Sequence, residues 1–230
     1  MFLDFHAEIY SWIRGGLFVL FFYHLLIYFQ NKSKLYLYYS LFIAAITLYV
    51  MKDIVYDDFI WFYDHMNFAI QFLAYAAYVS FARELLDTRT HLLKWDKFLD
   101  IEVKALLILA PIFVFIQIVG GYEMQEKAFL VVAPILTVFT LVTFYVVLKK
   151  IKDKFSISFV VGSLICVVLA NISFLEYFLG ENYFQDRGCQ PLFFFYLGAM
   201  LQSIIFSAII GVIINRIQDN RQTDGIRVEG

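Results

Sequence analysis

Charge is scarce along this chain of 230 residues: Lys, Arg, Asp and Glu together make up only 17% of it, against 62% hydrophobic residues. A water-facing domain carries about 25% charged and about 45–50% apolar residues, so this composition excludes an ordinary soluble fold. Cysteine occurs twice and histidine four times. Cys166 lies within an apolar stretch and Cys189 in a polar one, which argues against a structural disulfide between them and leaves the redox compartment unreadable. His24 alone among the histidines sits well inside an apolar run. His6 and His65 lie near one membrane surface and His91 near the other, so the three ligands that a hydrolytic zinc needs do not converge. Proline is equally sparse. Pro111 and Pro134 fall inside apolar stretches, where they are expected to bend a helix, and Pro191 opens another, where its missing amide hydrogen does no harm. A Gly-rich phosphate loop, a metal-spaced Cys/His cluster and a Ser-His-Asp arrangement are all missing, so no enzyme class finds support and no cofactor or nucleic acid is called for.

What the chain does have is seven apolar stretches, at 12–29, 35–55, 60–81, 105–119, 128–148, 155–179 and 191–214. A helix needs about 20 residues to cross the hydrocarbon of a bilayer. The expectation is an all-α membrane protein: one bundle of seven transmembrane helices over residues 1–218, with a polar tail at 219–230. Orientation follows from basic residues near helix ends. With the N-terminus outside, fourteen of the 18 Lys and Arg residues fall in the cytoplasm, and only Arg14, Lys52, Lys127 and Arg187 remain outside. The C-terminus is then cytoplasmic. No positive segment followed by a short apolar run and a small-residue cleavage site precedes Trp12, so the first span inserts as it stands. Trp12, Trp61, Trp95 and the run Tyr36, Tyr38, Tyr39 are expected at membrane boundaries, where amphipathic rings settle. Residues 92–104 mix Leu92, Leu93, Trp95, Phe98 and Leu99 with Lys94, Lys97 and Lys104. They read either as a helix in the cytoplasmic interface or as a solvated loop with an early start to the fourth span.

Polar side chains inside a membrane are costly unless partnered. Asp53, Asn67, Gln71, Gln117, Asn171 and Glu176 fall in the outer half, with Gln202 near the middle. Asn67 and Gln71 share a helix face at i, i+4. Two readings stay open: a polar pocket open to the outside that takes a small ligand or a docking element, or hydrogen bonds that hold the helices together. Small residues repeat at four-residue spacing at Ser158, Gly162, Cys166 and Ala170, and again at Ala199, Ser203, Ser207 and Gly211. Such stripes let helices approach closely, either these two spans on each other or two copies in a homodimer. The seventh span lacks the lysine that a retinal Schiff base requires, and the Asp-Arg-Tyr and Asn-Pro-x-x-Tyr signatures of G-protein-coupled receptors are missing. A small transporter or channel subunit is the alternative from another class, but no inverted repeat is visible.

The first two spans read Gly16-Leu-Phe-Val-Leu-Phe-Phe-Tyr23 through Ile27-Tyr28-Phe29, then Asn31-Lys-Ser-Lys34 and Leu35-Tyr-Leu-Tyr-Tyr-Ser-Leu-Phe42. The third ends in Phe81-x-Arg83-x-x-Leu86. Near the C-terminus come Leu197-Gly198, Ile205-Phe206-Ser207 and Asn215-Arg216-Ile217. These patterns resemble the membrane domain of the bacterial seven-transmembrane receptors with diverse intracellular signalling modules, over nearly the whole chain. Gln202 departs from the acidic residue that many relatives carry there. The resemblance implies a sensor of the bacterial inner membrane, preceded by an extracytoplasmic domain and followed by a cytoplasmic output domain or protein. Neither flank is in this sequence, so the expectation is an excised membrane domain or a short relative with separate partner chains. On this reading Asn67, Gln71, Asn171 and Glu176 form the outer pocket, Gln202 couples it inward, and Arg216 marks the cytoplasmic exit.

Overall fold

An apolar chain in a bilayer must satisfy its own backbone, and a helix does so within one segment. The computed structural model of the chain describes residues 5–179 and 192–228, with side chains described over 8–175 and 192–215. Every regular element among the described residues is helical: α1 (Phe5–Asn31), α2 (Lys34–Val50), α3 (Lys52–Val55), α4 (Ile60–Leu85), α5 (Thr88–His91), α6 (Leu93–Lys150), α7 (Lys154–Leu179) and α8 (Phe193–Val228). Cys189 and Pro191 lie outside the described residues.

The helices gather into two units, Met1–Lys152 and Asp153–Gly230. In the first, α1 packs on α2, α2 on α4, and α4 on α6. Of the three rings of the expected tyrosine belt, two turn inward here and Tyr38 is half-buried. Tyr36 and Tyr39 are buried, and Tyr39 lies against Phe81 and the edge of His24. Their spacing of three residues puts both on the α2 face that meets its neighbours. The second apolar stretch is interrupted near its end: α2 stops at Val50, and Met51 leads into the short α3.

α6 is one run of helical hydrogen bonding that reverses on itself. Gly121 has φ 69° and ψ −176°, a region open almost only to glycine, because any Cβ meets the backbone there. Trp95 stacks on Phe139 at 5.7 Å, although a straight helix would separate them by about 66 Å. Gln125 donates its side-chain amide to the carbonyl of Phe113 at 2.9 Å, closing the inside of the turn. The two arms, 93–120 and 122–150, therefore lie side by side. Pro111 and Pro134 sit inside them, and Gly121 is the interior residue whose backbone leaves helical space. Trp95 belongs to this inter-arm packing, whereas Trp12 and Trp61 are exposed by 79% and 68%.

Phe68, Ala69, Phe72 and Ala76 of α4 meet Leu106, Ala110 and Phe113 of the first arm in the main apolar core of this unit, which Phe129 and Leu136 of the second arm extend. Outside that core the surface stays apolar. Phe115, Val131, Ile135 and Val138 are each more than 60% exposed. The most apolar window of α6 is only 17% buried. Water would not tolerate so much contiguous apolar surface, so this face is covered by lipid. Five helices among the described residues are long and apolar enough to cross a membrane. α4 carries Asp64, Asn67, Gln71, Arg83 and Glu84 and is not one of these, although its other face is well packed.

In the second unit α7 and α8 pack along the small-residue stripes. A Cβ added at Gly198 would come within 3.1 Å of the Cys166 Cα and of the Leu169 side chain, so the two backbones are nearly in contact. Gly162, Ser163, Ala199 and Ser203 are buried in this seam, and Phe159 stacks on Phe206 at 5.1 Å. Ser158 faces outward instead.

Candidate functional site

In the described part of the first unit three polar clusters interrupt the apolar packing, two at its ends and one in its interior. At the end that carries α3, Arg14 of α1 reaches Asp53 at 3.6 Å. Next to this pair, the Lys52 ammonium donates to the Asn67 carbonyl oxygen at 3.5 Å. Asn67 is buried on α4, so its amide lines the inner wall of the cluster. Tyr63 donates its hydroxyl to the Leu48 carbonyl at 3.0 Å, and Tyr56 donates to Asp64. That hydrogen bond raises the Tyr56 hydroxyl above its ordinary value, because losing the proton would place an anion beside Asp64. A cation, an amide, carboxylates and phenols thus meet where α1, α2, α3 and α4 come together.

At the opposite end of α4, Asp87 takes the left-handed conformation and turns the chain through α5 into α6. This brings Arg83 against the first arm. Its Nε and Nη2 make a fork with Asp96 at 2.9 and 3.1 Å, and Nη1 reaches Asp100 at 2.8 Å. Asp96 also accepts from the Thr88 hydroxyl at 2.6 Å, and Lys104 pairs with Asp100. Residues 92–104 are therefore the opening turns of α6, with Asp96 and Leu99 inward and Lys94, Lys97 and Phe98 outward.

The third cluster lies between these ends. Tyr75 of α4 places its hydroxyl 2.8 Å from a carboxyl oxygen of Glu102 on the first arm and 2.6 Å from the Thr140 hydroxyl on the second. Thr140 is also 2.9 Å from the Leu136 carbonyl. Sequence reasoning missed this cluster and the Arg83 fork: 92–104 read either as an interfacial helix or as a loop with an early start to the fourth span, and neither reading turned its carboxyls inward. The signal was there: Asp96, Leu99, Glu102, Leu106, Ala110 and Phe113 recur at three- and four-residue spacing, so both carboxyls stand on the same stripe as the core residues.

The remaining expected residues are placed as follows. Gln71 is half-buried one turn after Asn67 on α4. Gln117, on the first arm, is half-buried, and its side-chain oxygen is enclosed without a donor among the described residues. In the second unit Asn171 donates to the Val167 carbonyl of its own helix at 2.8 Å. Gln202 is buried and donates to Ser163 at 3.5 Å, linking α8 to α7. Ser173 accepts from the Phe195 amide at 2.9 Å, a second such link. Glu176 and Arg216 lie on α7 and α8, and their side chains are outside the described residues. Asn67 and Gln71 belong to one unit and Asn171 and Gln202 to the other.

The family model described as 7TM diverse intracellular signalling matches residues 9–212, from the first turns of α1 to α8. The chain belongs to that family. Neither a curated protein nor a solved structure matches it. Membership of the 7TM diverse intracellular signalling family, with the lipid-covered helices, makes this a multi-pass membrane protein of signal transduction. The family is one of signalling sensors and not an enzyme family.

Proposed function

We propose that the chain is a bacterial inner-membrane sensor module of seven crossings, with its N-terminus outside and its C-terminus in the cytoplasm. Residues 1–218 form the membrane domain, and 219–230 its cytoplasmic tail. The count of seven takes α1, α2, α4, the two arms of α6, α7 and α8 as one crossing each. In this orientation the Arg14, Asp53, Lys52 and Asn67 cluster faces outward and the Arg83 fork faces the cytoplasm. The module relays the state of an outside ligand or sensor domain to a cytoplasmic output domain or protein. We assign the receiving role to Asn67 and Gln71 in the first unit and to Asn171 and Glu176 in the second, inward coupling to Gln202, and the cytoplasmic exit to Arg216. A ligand shifts such a bundle only through unequal affinity for its two states.

The observation that carries this reading is the signalling-family match together with the polar Lys52–Asn67 contact at one end of the helices. Cysteine accessibility tests it. In a Cys166→Ser, Cys189→Ser background, an impermeant maleimide on intact cells is expected to label Asp58→Cys, Asn67→Cys and Asn171→Cys, and Arg216→Cys only after permeabilisation. Labelling of Arg216→Cys from outside would reverse the orientation. Labelling at position 58 but at neither 67 nor 171 would keep the topology and remove the pocket.

A further inference from the structure

The Tyr75, Glu102 and Thr140 cluster contains more hydrogen-bonding contacts than its two hydroxyls can supply with hydrogen. Three oxygen–oxygen separations fall in the range of real O–H···O bonds: Glu102 to Tyr75 at 2.8 Å, Tyr75 to Thr140 at 2.6 Å, and Thr140 to the Leu136 carbonyl at 2.9 Å. Tyr75 and Thr140 carry one hydroxyl hydrogen each, the Leu136 carbonyl carries none, and an ionised carboxylate carries none. With Glu102 ionised, two hydrogens must serve three contacts, and one pair of oxygens meets at bonding distance with nothing between them. A proton on Glu102 supplies the missing hydrogen. The acid then donates to Tyr75, Tyr75 to Thr140, and Thr140 to the Leu136 carbonyl, and every contact is a hydrogen bond.

The surroundings favour the same state. Glu102 is 9% exposed, and among the described residues it has no ion-pair partner. On its own arm, Asp100 and Lys104 pair with each other, and Asp100 also pairs with Arg83 of α4. α4 faces it with Tyr75, whose ring stacks on Tyr78 at 6.0 Å. The second arm carries no charged residue between Lys127 and Lys149, and Tyr145 is its titratable side chain there. α2, which packs on the far side of α4, has no charge between Lys34 and Lys52. A lone carboxylate held against an apolar wall is costly, and a carboxylic acid kept neutral becomes a hydrogen-bond donor.

We propose that Glu102 is a proton-binding site inside the first unit, and that its proton heads the Glu102, Tyr75, Thr140, Leu136 relay that ties α4 to both arms of α6. The ligand is the proton itself. Its release places a charge in the apolar wall and leaves one contact of the relay without a hydrogen, so proton binding favours the packed arrangement of these three segments. The inference is independent of the outer-pocket residues and stands or falls apart from them.

Infrared spectroscopy of the protein in lipid nanodiscs, with glutamate carboxyl carbons isotopically labelled, tests it. At neutral pH the wild type is expected to show the C=O stretch of a protonated glutamic acid that Glu102→Gln lacks and that fades as the pH is raised. Tyr75→Phe, which removes the relay's second oxygen, is expected to shift that band. Identical wild-type and Glu102→Gln spectra in this region overturn the proposal. Should Glu102→Gln not fold, the Tyr75→Phe comparison decides: a shifted band supports the site, and an absent or unshifted band overturns it.

Discussion

Removing the Arg83 side chain tests how much of the first unit depends on one cation. Arg83 and Asp96 retain only 10% and 11% of their side-chain exposure, and the guanidinium makes three hydrogen bonds of 2.8–3.1 Å to carboxylates. In Arg83→Ala, Asp96 keeps the Thr88 hydroxyl but loses its hydrogen-bonded cation, and the more distant, exposed Arg89, itself paired with Glu84, compensates little. Truncating one partner of a buried pair costs about 3–5 kcal/mol, because the other charge is left buried. The bond to Asp100 adds little, since that carboxylate is 38% exposed and already paired with Lys104. Arg83→Ala is therefore expected to lose about 3–5 kcal/mol, most of it from the Asp96 fork. Asp96→Asn should lose a similar amount, and the double variant much less than the sum. Reversible SDS unfolding in mixed micelles, followed by circular dichroism, measures all three, with a coupling of about 0.5–3 kcal/mol between contacting residues. A loss below about 1 kcal/mol for Arg83→Ala, or additive single losses, would refute the argument that the fork is a buried, coupled pair.

Gly121→Ala places a Cβ at φ 69° and is expected to cost about 1–3 kcal/mol, read in the same titration. At Gly120 the backbone is helical, but a new Cβ would overlap the Met124 side chain, so Gly120→Ala should destabilise and the further change Met124→Ala should restore part of the loss. Gly198→Ala must push apart α7 and α8, at about 1–3 kcal/mol, whereas Gly211→Ala meets nothing within 4 Å and should stay within about 0.5 kcal/mol of wild type. Equal thermal shifts at the two positions would remove the close-approach argument. Ser163→Ala is expected to leave the buried Gln202 amide without its partner on α7, at about 1–3 kcal/mol, and Gln202→Leu in that background should recover stability.

The long apolar stretches make most of the helices legible, since a helix satisfies the backbone within one such segment and a barrel strand needs only about half that length. The stripes around Gly162 and Gly198 are legible for a similar reason, because small side chains are what let two helices touch. Facing is less legible. In lipid a ring such as Tyr39 or Trp95 finds apolar surroundings on every side, so its identity does not say whether it meets a neighbour or the bilayer. Helix breaks within apolar sequence are also quiet: the stop at Val50 and the reversal at Gly121 occur where hydropathy hardly changes. The polar residues were harder to read. Asn67 stands out against its neighbours, and its contact with Lys52 agrees with a polar cluster. Glu102 sits in sequence between Asp100 and Lys104, where charge is ordinary, and only its phase relative to Leu99 and Leu106 betrays that it turns inward.

The reversal of α6 leaves no slack between its arms. Gln125 is anchored to Phe113 on one side of the turn, and Phe129, Thr140 and Phe139 each have a partner farther along. One residue inserted between Gln125 and Phe129 would rotate everything beyond it by about 100°. Thr140 would swing away from Tyr75, and the lipid-covered row of Val131, Ile135 and Val138 would turn toward a new azimuth. Point changes along that row are cheap, but a change in its length is not. Among descendants of this chain, the lipid-facing row of the second arm should accept substitution freely, and the arm itself insertion almost never.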